Sequence, residues 1–126
     1  MKPLRVMVVD DSLIITKKLT QLLEEMGHSV VATARSGKEA LEKYDFETMD
    51  LVTMDITMPE MDGIEATRGI LHTDPNATVI MITSHGQEQM VIQSIEAGAK
   101  GYILKPFDAA KVKETIQHVL EHQNHA

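Results

Sequence analysis

Short apolar runs alternate with amphipathic segments from one end of this sequence to the other. Each run has the length of a β-strand, and several are rich in Val and Ile, which favour strands. Val79, Ile80 and Ile82 stand in one run without alternating polar residues, as expected for a strand buried on both faces. The predicted strands cover residues 4–9, 29–34, 50–54, 78–82 and 101–104.

The segments between these runs have apolar residues at helical spacing. In residues 13–26 the apolar positions share one helix face, and Gly27 supplies a stop. Ser36 and Asp108 can each cap the start of a helix. Five β–α repeats predict an α/β protein with a parallel sheet and helices on both faces, because parallel strands need crossover connections. Periodicity leaves the strand order open. The predicted helices cover residues 13–26, 37–44, 63–71 and 87–97, with a fifth after residue 108.

Length and composition indicate one globular domain. The chain has 126 residues, of which 43% are hydrophobic and 25% charged, and no stretch reads as a linker or repeat. We therefore expect a single domain over residues 1–126, with no effector domain. A net charge of −7 argues against general nucleic-acid binding. The sequence has no membrane-spanning apolar run, no signal-peptide pattern and no cysteine, which fits a cytoplasmic protein.

Polar residues stand where the predicted strands end. Asp10 and Asp11 follow the first strand, Asp55 the third, Thr83 the fourth and Lys105 the fifth. Because parallel strands end at one edge of the sheet, these groups are expected to meet there, where ligands of open α/β sheets bind.

The types of these residues indicate phosphoryl transfer. Three carboxylates at one edge raise one another's pKa unless a cation joins them, and hard oxygen ligands suit Mg²⁺. A metal ion and Lys105 would neutralise the equatorial phosphoryl oxygens while the Asp55 carboxylate attacks.

Each of these residues also has a purely structural interpretation. Asp10 and Asp11 can cap the following helix, and Asp55 alone can be a turn residue. Thr83 alone can be a satisfied strand-end hydroxyl, and Lys105 can be solvated. The occurrence of all five residues together, in this order and at the ends of strands, favours a functional site over these structural interpretations. Dinucleotide binding is not supported, because no glycine-rich turn follows the first strand.

Four stretches together resemble the receiver domain of two-component response regulators, of the stand-alone CheY-like kind. They are VMVVDDS at residues 6–12, DLVTMDITMPEMDG at 50–63, VIMITSHG at 79–86 and AGAKGYILKPF at 97–107. The resemblance covers essentially the whole chain. It implies a flavodoxin-like, doubly wound (βα)5 fold whose five-stranded parallel sheet has the order 2-1-3-4-5.

The resemblance also implies a role for each acidic residue. Asp55 would be phosphorylated by a histidine kinase in a reaction that depends on Mg²⁺, for which Mn²⁺ can substitute. Asp11 and Asp55 would ligate the metal directly, the backbone carbonyl of Thr57 would add a third ligand, and Asp10 would act largely through water.

Further roles follow from the same resemblance. Lys105 would pair with the phosphoryl group, and the bond between Lys105 and Pro106 would be cis. Thr83 would move to hydrogen-bond the phosphoryl group, and Tyr102 would swing inward behind it. Such movements form a switch if the phosphoryl group makes contacts available in only one conformer.

Thr57 and His85 lie two residues past Asp55 and Thr83 respectively. In receivers these positions flank the phosphoryl group and tune its hydrolysis, and we hypothesise that His85 gates the attacking water. An exposed loop histidine is the alternative. A haloacid dehalogenase-type phosphatase would need a second Asp at the place of Thr57, as general acid and base. We therefore expect a phosphoacceptor signalling protein and not an enzyme.

Two signalling functions remain open. A chemotaxis regulator would bind a flagellar motor switch protein through the face made by the fourth helix, fifth strand and fifth helix, and a phosphatase would reset it. A relay intermediate, or another single-domain regulator, would pass its phosphoryl group to a histidine phosphotransfer domain.

Three histidines near the C-terminus have helical spacing. His118, His122 and His125 stand at positions i, i+4 and i+7, which could capture a divalent metal on one helix face. A frayed polar tail is the interpretation that we favour.

Overall fold

Five parallel strands alternate with five helices in the computed structural model, which describes residues 2–123. The strands are β1 (Arg5–Val9), β2 (Ser29–Ala34), β3 (Leu51–Met54), β4 (Val79–Thr83) and β5 (Gly101–Leu104). The helices are α1 (Leu13–Glu25), α2 (Gly37–Lys43), α3 (Gly63–Thr73), α4 (Glu88–Glu96) and α5 (Ala109–Gln123). The prediction of five β–α repeats is confirmed. The single domain expected over residues 1–126 extends at both ends beyond the described residues and stays a prediction.

The strand order is β2-β1-β3-β4-β5, and every neighbouring pair is parallel. This confirms the flavodoxin-like, doubly wound topology. The order reverses its direction between β1 and β3, because the chain first places β2 on one side of β1 and then crosses to the other. Loops after β1 and β3 therefore separate at this point and leave a crevice at the carboxyl edge.

Helices cover both faces of the sheet and bury two apolar clusters. Successive residues of a strand point to opposite faces, so that Val6 and Val8 belong to one cluster and Met7 and Val9 to the other. All four of these side chains are buried. A central strand covered on both faces explains why the sequence shows apolar runs without alternation.

Side-chain caps fix the start of several helices. Ser36 accepts a hydrogen bond from the Glu39 N–H at 3.1 Å, and Asp108 accepts one from the Lys111 N–H at 2.8 Å, as predicted. Asp62 caps α3 in the same way, which the sequence pattern had not indicated.

Several element boundaries differ from the prediction by one or two residues. β3 begins at Leu51, one residue later than predicted, and Asp50 before it pairs its carboxylate with Arg5 at 3.0 Å. β4 continues through Thr83, and α3 continues to Thr73. α4 is one residue shorter at each end than the predicted helix.

The C-terminal helix contains two of the three histidines noted above. α5 continues through Gln123 and includes His118 and His122. His125 lies outside the described residues. Within residues 2–123 no helix combines the length and the apolar character needed to cross a membrane.

Thr53 in β3 places a polar hydroxyl group in the apolar core, and its substitution tests the packing there. Its side chain is 2% exposed, and its hydroxyl has no hydrogen-bond partner among the described residues. We predict that Thr53→Val raises the free energy of unfolding by about 1 kcal/mol, because the substitution removes a buried polar group that is unsatisfied and keeps the shape. Urea unfolding monitored by circular dichroism measures the change.

Thr67 supplies the matched control for this substitution. It is equally buried, but its hydroxyl donates a hydrogen bond to the Gly63 carbonyl at 2.7 Å. Thr67→Val is expected to lose that bond and to lower the stability. The account of Thr53 is wrong if both valine variants change stability in the same direction.

Candidate functional site

The carboxyl edge of the sheet brings four charged side chains together. Asp10 and Asp11 follow β1, Asp55 follows β3, and Lys105 follows β5. One oxygen from each of the three aspartates lies within 4.8 Å of the other two. Lys105 Nζ lies 2.8 Å from Asp10 Oδ2 and 3.6 Å from Asp55 Oδ1. The peptide bond between Lys105 and Pro106 is cis, as predicted.

Burial and charge perturb the ionisation of Asp55. The side chains of Asp10 and Asp55 are buried, whereas Asp11 is exposed. Burial raises the pKa of Asp55 to about 6, and the negative charge of Asp10 adds to the rise. Lys105 opposes the rise but does not cancel it. The electrostatic interaction of the ionised Asp55 with its surroundings is therefore unfavourable, and the fold holds this carboxyl group beside the other carboxylates.

Backbone groups hold the two buried carboxylates in place. The Ser12 N–H donates a hydrogen bond to Asp10 Oδ1 at 2.9 Å, and the Ile56 N–H donates one to Asp55 Oδ1 at 2.9 Å. Ser12 Oγ accepts from the Ile15 N–H and is the N-cap of α1. The alternative in which Asp10 or Asp11 caps α1 is therefore wrong. Their carboxylates remain at the sheet edge.

The loop that follows Asp55 folds closely over the end of β3. The Gly63 N–H donates a hydrogen bond to the Ile56 carbonyl at 2.7 Å. A Cβ at Gly63 would lie 1.9 Å from the Asp55 carbonyl oxygen, so only glycine permits this approach. In the loop between Ile56 and Gly63, Glu60 has a φ of 60° and Met61 a φ of 128°, which are unfavourable for residues with side chains. The loop is thus bent tightly enough to stay beside the site.

A second group of residues forms the rim of the site. Thr57 Oγ1 and His85 Nε2 are hydrogen-bonded at 2.6 Å, which joins the β3–α3 loop to the β4–α4 loop. The His85 N–H donates to Thr83 Oγ1 at 3.2 Å, and the Tyr102 hydroxyl donates to the His85 carbonyl. His85 therefore contacts the three other residues named here. The sequence had indicated the individual positions, but not the bridge between Thr57 and His85.

The three aspartates can hold a divalent metal ion. Their carboxylate oxygens are hard ligands, and the spacing within 4.8 Å allows one ion to contact all three. Lys105 compensates only one of the three negative charges if all are ionised. Burial is the first cause of the raised pKa of Asp55 and the charge of Asp10 the second, and a bound dication would relieve the charge imbalance. The residues present thus fit Mg²⁺ in charge and in ligand type.

Comparison with known proteins identifies a family for the chain. The profile of the response regulator receiver domain matches residues 6–117. The chemotaxis protein CheY of Thermotoga maritima is 45% identical over 115 residues, covering 91% of this chain and 96% of that protein. The chemotaxis protein CheY of Bacillus subtilis is 47% identical over 116 residues, covering 92% of this chain and 97% of that protein.

A solved structure agrees with the fold over nearly the full length. The crystal structure of the CheX–CheY–BeF₃–Mg²⁺ complex from Borrelia burgdorferi contains a chain that matches with a TM-score of 0.91 and 44% identity. The match covers 94% of this chain and 90% of that chain. A similar protein has thus been crystallised together with Mg²⁺.

Burial of Asp55, together with the charge of Asp10, predicts that Asp55→Asn stabilises the metal-free protein at neutral pH. The pKa of Asp55 is about 6 in the folded protein against an ordinary value of 3.8. Its contribution to stability is therefore complete below about pH 4 and is lost as the pH rises through about 6. With a discount for solvent screening, the variant should gain on the order of 1–2 kcal/mol at about pH 7 and little at about pH 4. Urea unfolding in EDTA over this pH range measures the gain.

Asp50 provides a control of opposite sign. A hydrogen bond from Arg5 holds the pKa of Asp50 below its ordinary value. Stability from Asp50 is present above its unfolded-state pKa and is lost as the pH falls through the folded-state value. Asp50→Asn should therefore destabilise the protein at neutral pH, with a smaller effect in acid. A gain from Asp55→Asn that does not depend on pH would contradict the electrostatic account.

Proposed function

We propose that Asp55 is the residue that accepts the phosphoryl group in this protein. The chain belongs to the response regulator receiver family and is a CheY-like phosphoacceptor signalling protein. The observation that carries this proposal is the position of the Asp55 carboxylate, which is buried beside two other carboxylates and 3.6 Å from the Lys105 ammonium. Asp10 at the end of β1 has the same neighbours, but both of its carboxylate oxygens already have partners, namely the Lys105 ammonium at 2.8 Å and the Ser12 N–H at 2.9 Å.

Mg²⁺ is the cofactor that this site would hold, with Mn²⁺ as a substitute. Asp11 and Asp55 would ligate it directly, the backbone carbonyl of Thr57 would supply a third ligand, and Asp10 would act largely through water. The ion would neutralise charge on the phosphoryl oxygens when bound. Support comes from the hard oxygen ligands within 4.8 Å and from their uncompensated charge.

The phosphoryl transfer uses the chain's own residues in defined ways. An oxygen of the Asp55 carboxylate attacks the phosphorus of a phosphohistidine on the kinase, the new O–P bond forms as the P–N bond breaks, and the imidazole leaves with the electron pair of that bond. Lys105 moves its ammonium from the carboxylates toward the phosphoryl oxygens, which carry the charge in the transition state. Its 2.8 Å contact with Asp10 keeps the ammonium at the site beforehand.

The switch would operate through the hydrogen bonds around His85. A phosphoryl group on Asp55 attracts the Thr83 hydroxyl, whose oxygen now accepts from the His85 N–H. Movement of Thr83 would shift the loop that carries the His85 carbonyl, and Tyr102 donates its hydroxyl to that carbonyl. Phosphorylation would thereby favour one conformer of Tyr102, since only contacts that differ between conformers shift their populations.

Chemotaxis is the pathway that we propose for this protein. CheY proteins of about 45% identity support it, and the chain would then act in the cytoplasm as a single domain. A histidine kinase would phosphorylate it, a phosphatase would reset it, and a flagellar motor switch protein would bind it. α4 carries the exposed apolar side chain of Ile95 and β5 that of Leu104, and such side chains suit a protein partner. The alternative is a relay in which a histidine phosphotransfer domain takes the phosphoryl group.

Phosphorylation in vitro tests the central assignment. We predict that the purified chain with Mg²⁺ and acetyl phosphate, or with a phosphorylated histidine kinase, gains one phosphoryl group per chain by intact mass spectrometry. EDTA should abolish the reaction, since the uncompensated carboxylates would repel the phosphodonor. Asp55→Asn should remove the label, because an amide is not a nucleophile at this site, whereas Asp50→Asn should keep it. A label that survives in Asp55→Asn would identify a different acceptor.

The same phosphorylated sample separates chemotaxis from a relay. A flagellar switch peptide should bind the phosphorylated chain more tightly than the unphosphorylated chain, and Asp55→Asn should show no such difference. Rapid loss of the phosphoryl group to a histidine phosphotransfer domain, without phosphorylation-dependent binding of the switch peptide, would favour the relay.

The bridge between Thr57 and His85 yields a prediction about the lifetime of the acyl phosphate. We propose that this 2.6 Å bridge restricts the approach of water to phosphorylated Asp55. His85→Ala should accelerate dephosphorylation roughly fivefold, which corresponds to the loss of one hydrogen bond of about 1 kcal/mol that restrains the rim. Thr57→Val breaks the same bridge and should act in the same direction. The decay of the phosphorylated mass in excess Mg²⁺ measures the rate.

His72 is the matched control, since it is an exposed histidine on α3. His72→Ala should leave the lifetime unchanged. An unchanged rate in His85→Ala would refute the proposed role of the bridge.

A further inference from the structure

We propose that α5 carries a second metal site, of a different chemical kind from the aspartate triad, in which His118 and His122 bind one borderline divalent cation such as Zn²⁺. The two residues stand four positions apart on the helix, and both are exposed. Their imidazole ring centroids are 4.1 Å apart, with an angle of 49° between the ring planes. An ion would lie at the edges of the two rings, in line with the lone pair of one nitrogen of each, at Zn–N distances of about 2.0–2.1 Å.

The hydrogen bond of His122 leaves the right nitrogen available. His122 Nδ1 lies 2.9 Å from the carbonyl oxygen of His118. A carbonyl oxygen can only accept, so Nδ1 carries the proton and Nε2 of the neutral ring keeps its lone pair. Histidines that ligate metals generally donate their other ring N–H to a carbonyl or carboxylate, which fixes the tautomer and the ring orientation. His122 already has this arrangement before any ion binds.

The ligand type separates this pair from the triad. Imidazole nitrogen suits Zn²⁺, Cu²⁺ and Ni²⁺, whereas Mg²⁺ prefers carboxylate oxygen and water. The exposed Glu114 lies one turn before His118, and the net charge of −7 favours the approach of cations to the chain as a whole. Two protein ligands leave the remaining coordination positions to water, which makes the site weaker than a four-ligand structural zinc site.

An ion held by this pair would clamp the last turns of α5. The same helix packs its Ile116 and Val119 side chains into the core, and Val119 lies against Gly101 of β5. Binding to the folded helix, but not to an unfolded chain in which the two rings separate, would stabilise the C-terminal part of α5.

Titration of the untagged full chain with Zn²⁺ tests the proposal. Saturating Mg²⁺ is included, so that hard-ligand sites are occupied. Isothermal calorimetry should show one Zn²⁺ per chain, and either His118→Gln or His122→Gln should weaken the binding by about tenfold or more. His72→Gln, which alters an exposed histidine on another helix, should leave the affinity unchanged. Nitrogen NMR of the imidazoles should show that His122 binds through Nε2 and keeps its Nδ1 proton.

Three outcomes would overturn the pair as a site. The first is an affinity that neither glutamine variant changes. The second is displacement of Zn²⁺ by Mg²⁺, which would place the ion at the aspartate triad. The third is loss of binding in His125→Gln together with full binding in His118→Gln, which would move the site toward the chain end. Circular dichroism of each variant checks that the helix remains folded.

Discussion

Repulsion among three carboxylates at one edge of the sheet is the constraint around which the site is arranged. Asp10, Asp11 and Asp55 would separate if they were free, but two of them are fixed at the ends of adjacent strands whose backbones are hydrogen-bonded. The Asp55 N–H donates to the Val9 carbonyl at 2.9 Å, so the pairing of β1 with β3 continues into the site. The fold therefore provides the free energy that holds like charges together. Burial first, and then the charge of Asp10, raise the pKa of Asp55 in this arrangement.

The surrounding loops are shaped by the need to hold Asp55 without covering it. Gly63 lets the β3–α3 loop lie against the Asp55 backbone, where a side chain would collide with the carbonyl oxygen. Gly37 serves the adjoining loop in the same way, since its N–H donates to the Met61 carbonyl at 3.1 Å and a Cβ there would lie 2.4 Å from that oxygen. The strained φ values at Glu60 and Met61 are maintained by these contacts at both sides of the loop. These contacts thus form a continuous path from α2 to the Asp55 carboxylate.

The sequence predicted the parts of this arrangement that depend on the order of elements. A strand-end residue must lie at the carboxyl edge once the sheet is parallel, so Asp55 and Lys105 could be brought together from their positions alone. The strand order came from the resemblance to receivers, because apolar runs do not reveal their neighbours. The bridge between Thr57 and His85 was not predicted, since it depends on how two loops approach each other and on two side-chain rotamers. The capping of α1 by Ser12 was missed because two aspartates immediately before it offered the same chemistry.

The histidines of α5 likewise show which features follow from sequence spacing and which require the structure. Spacing of four residues suffices to place His118 and His122 on one face, provided that the helix continues, and the structure carries α5 through Gln123. Spacing says nothing about which ring nitrogen is free, because the tautomer depends on the hydrogen bond from His122 to the His118 carbonyl. The spacing therefore predicts that the two rings are neighbours, whereas the tautomer that leaves Nε2 of His122 available follows only from the structure.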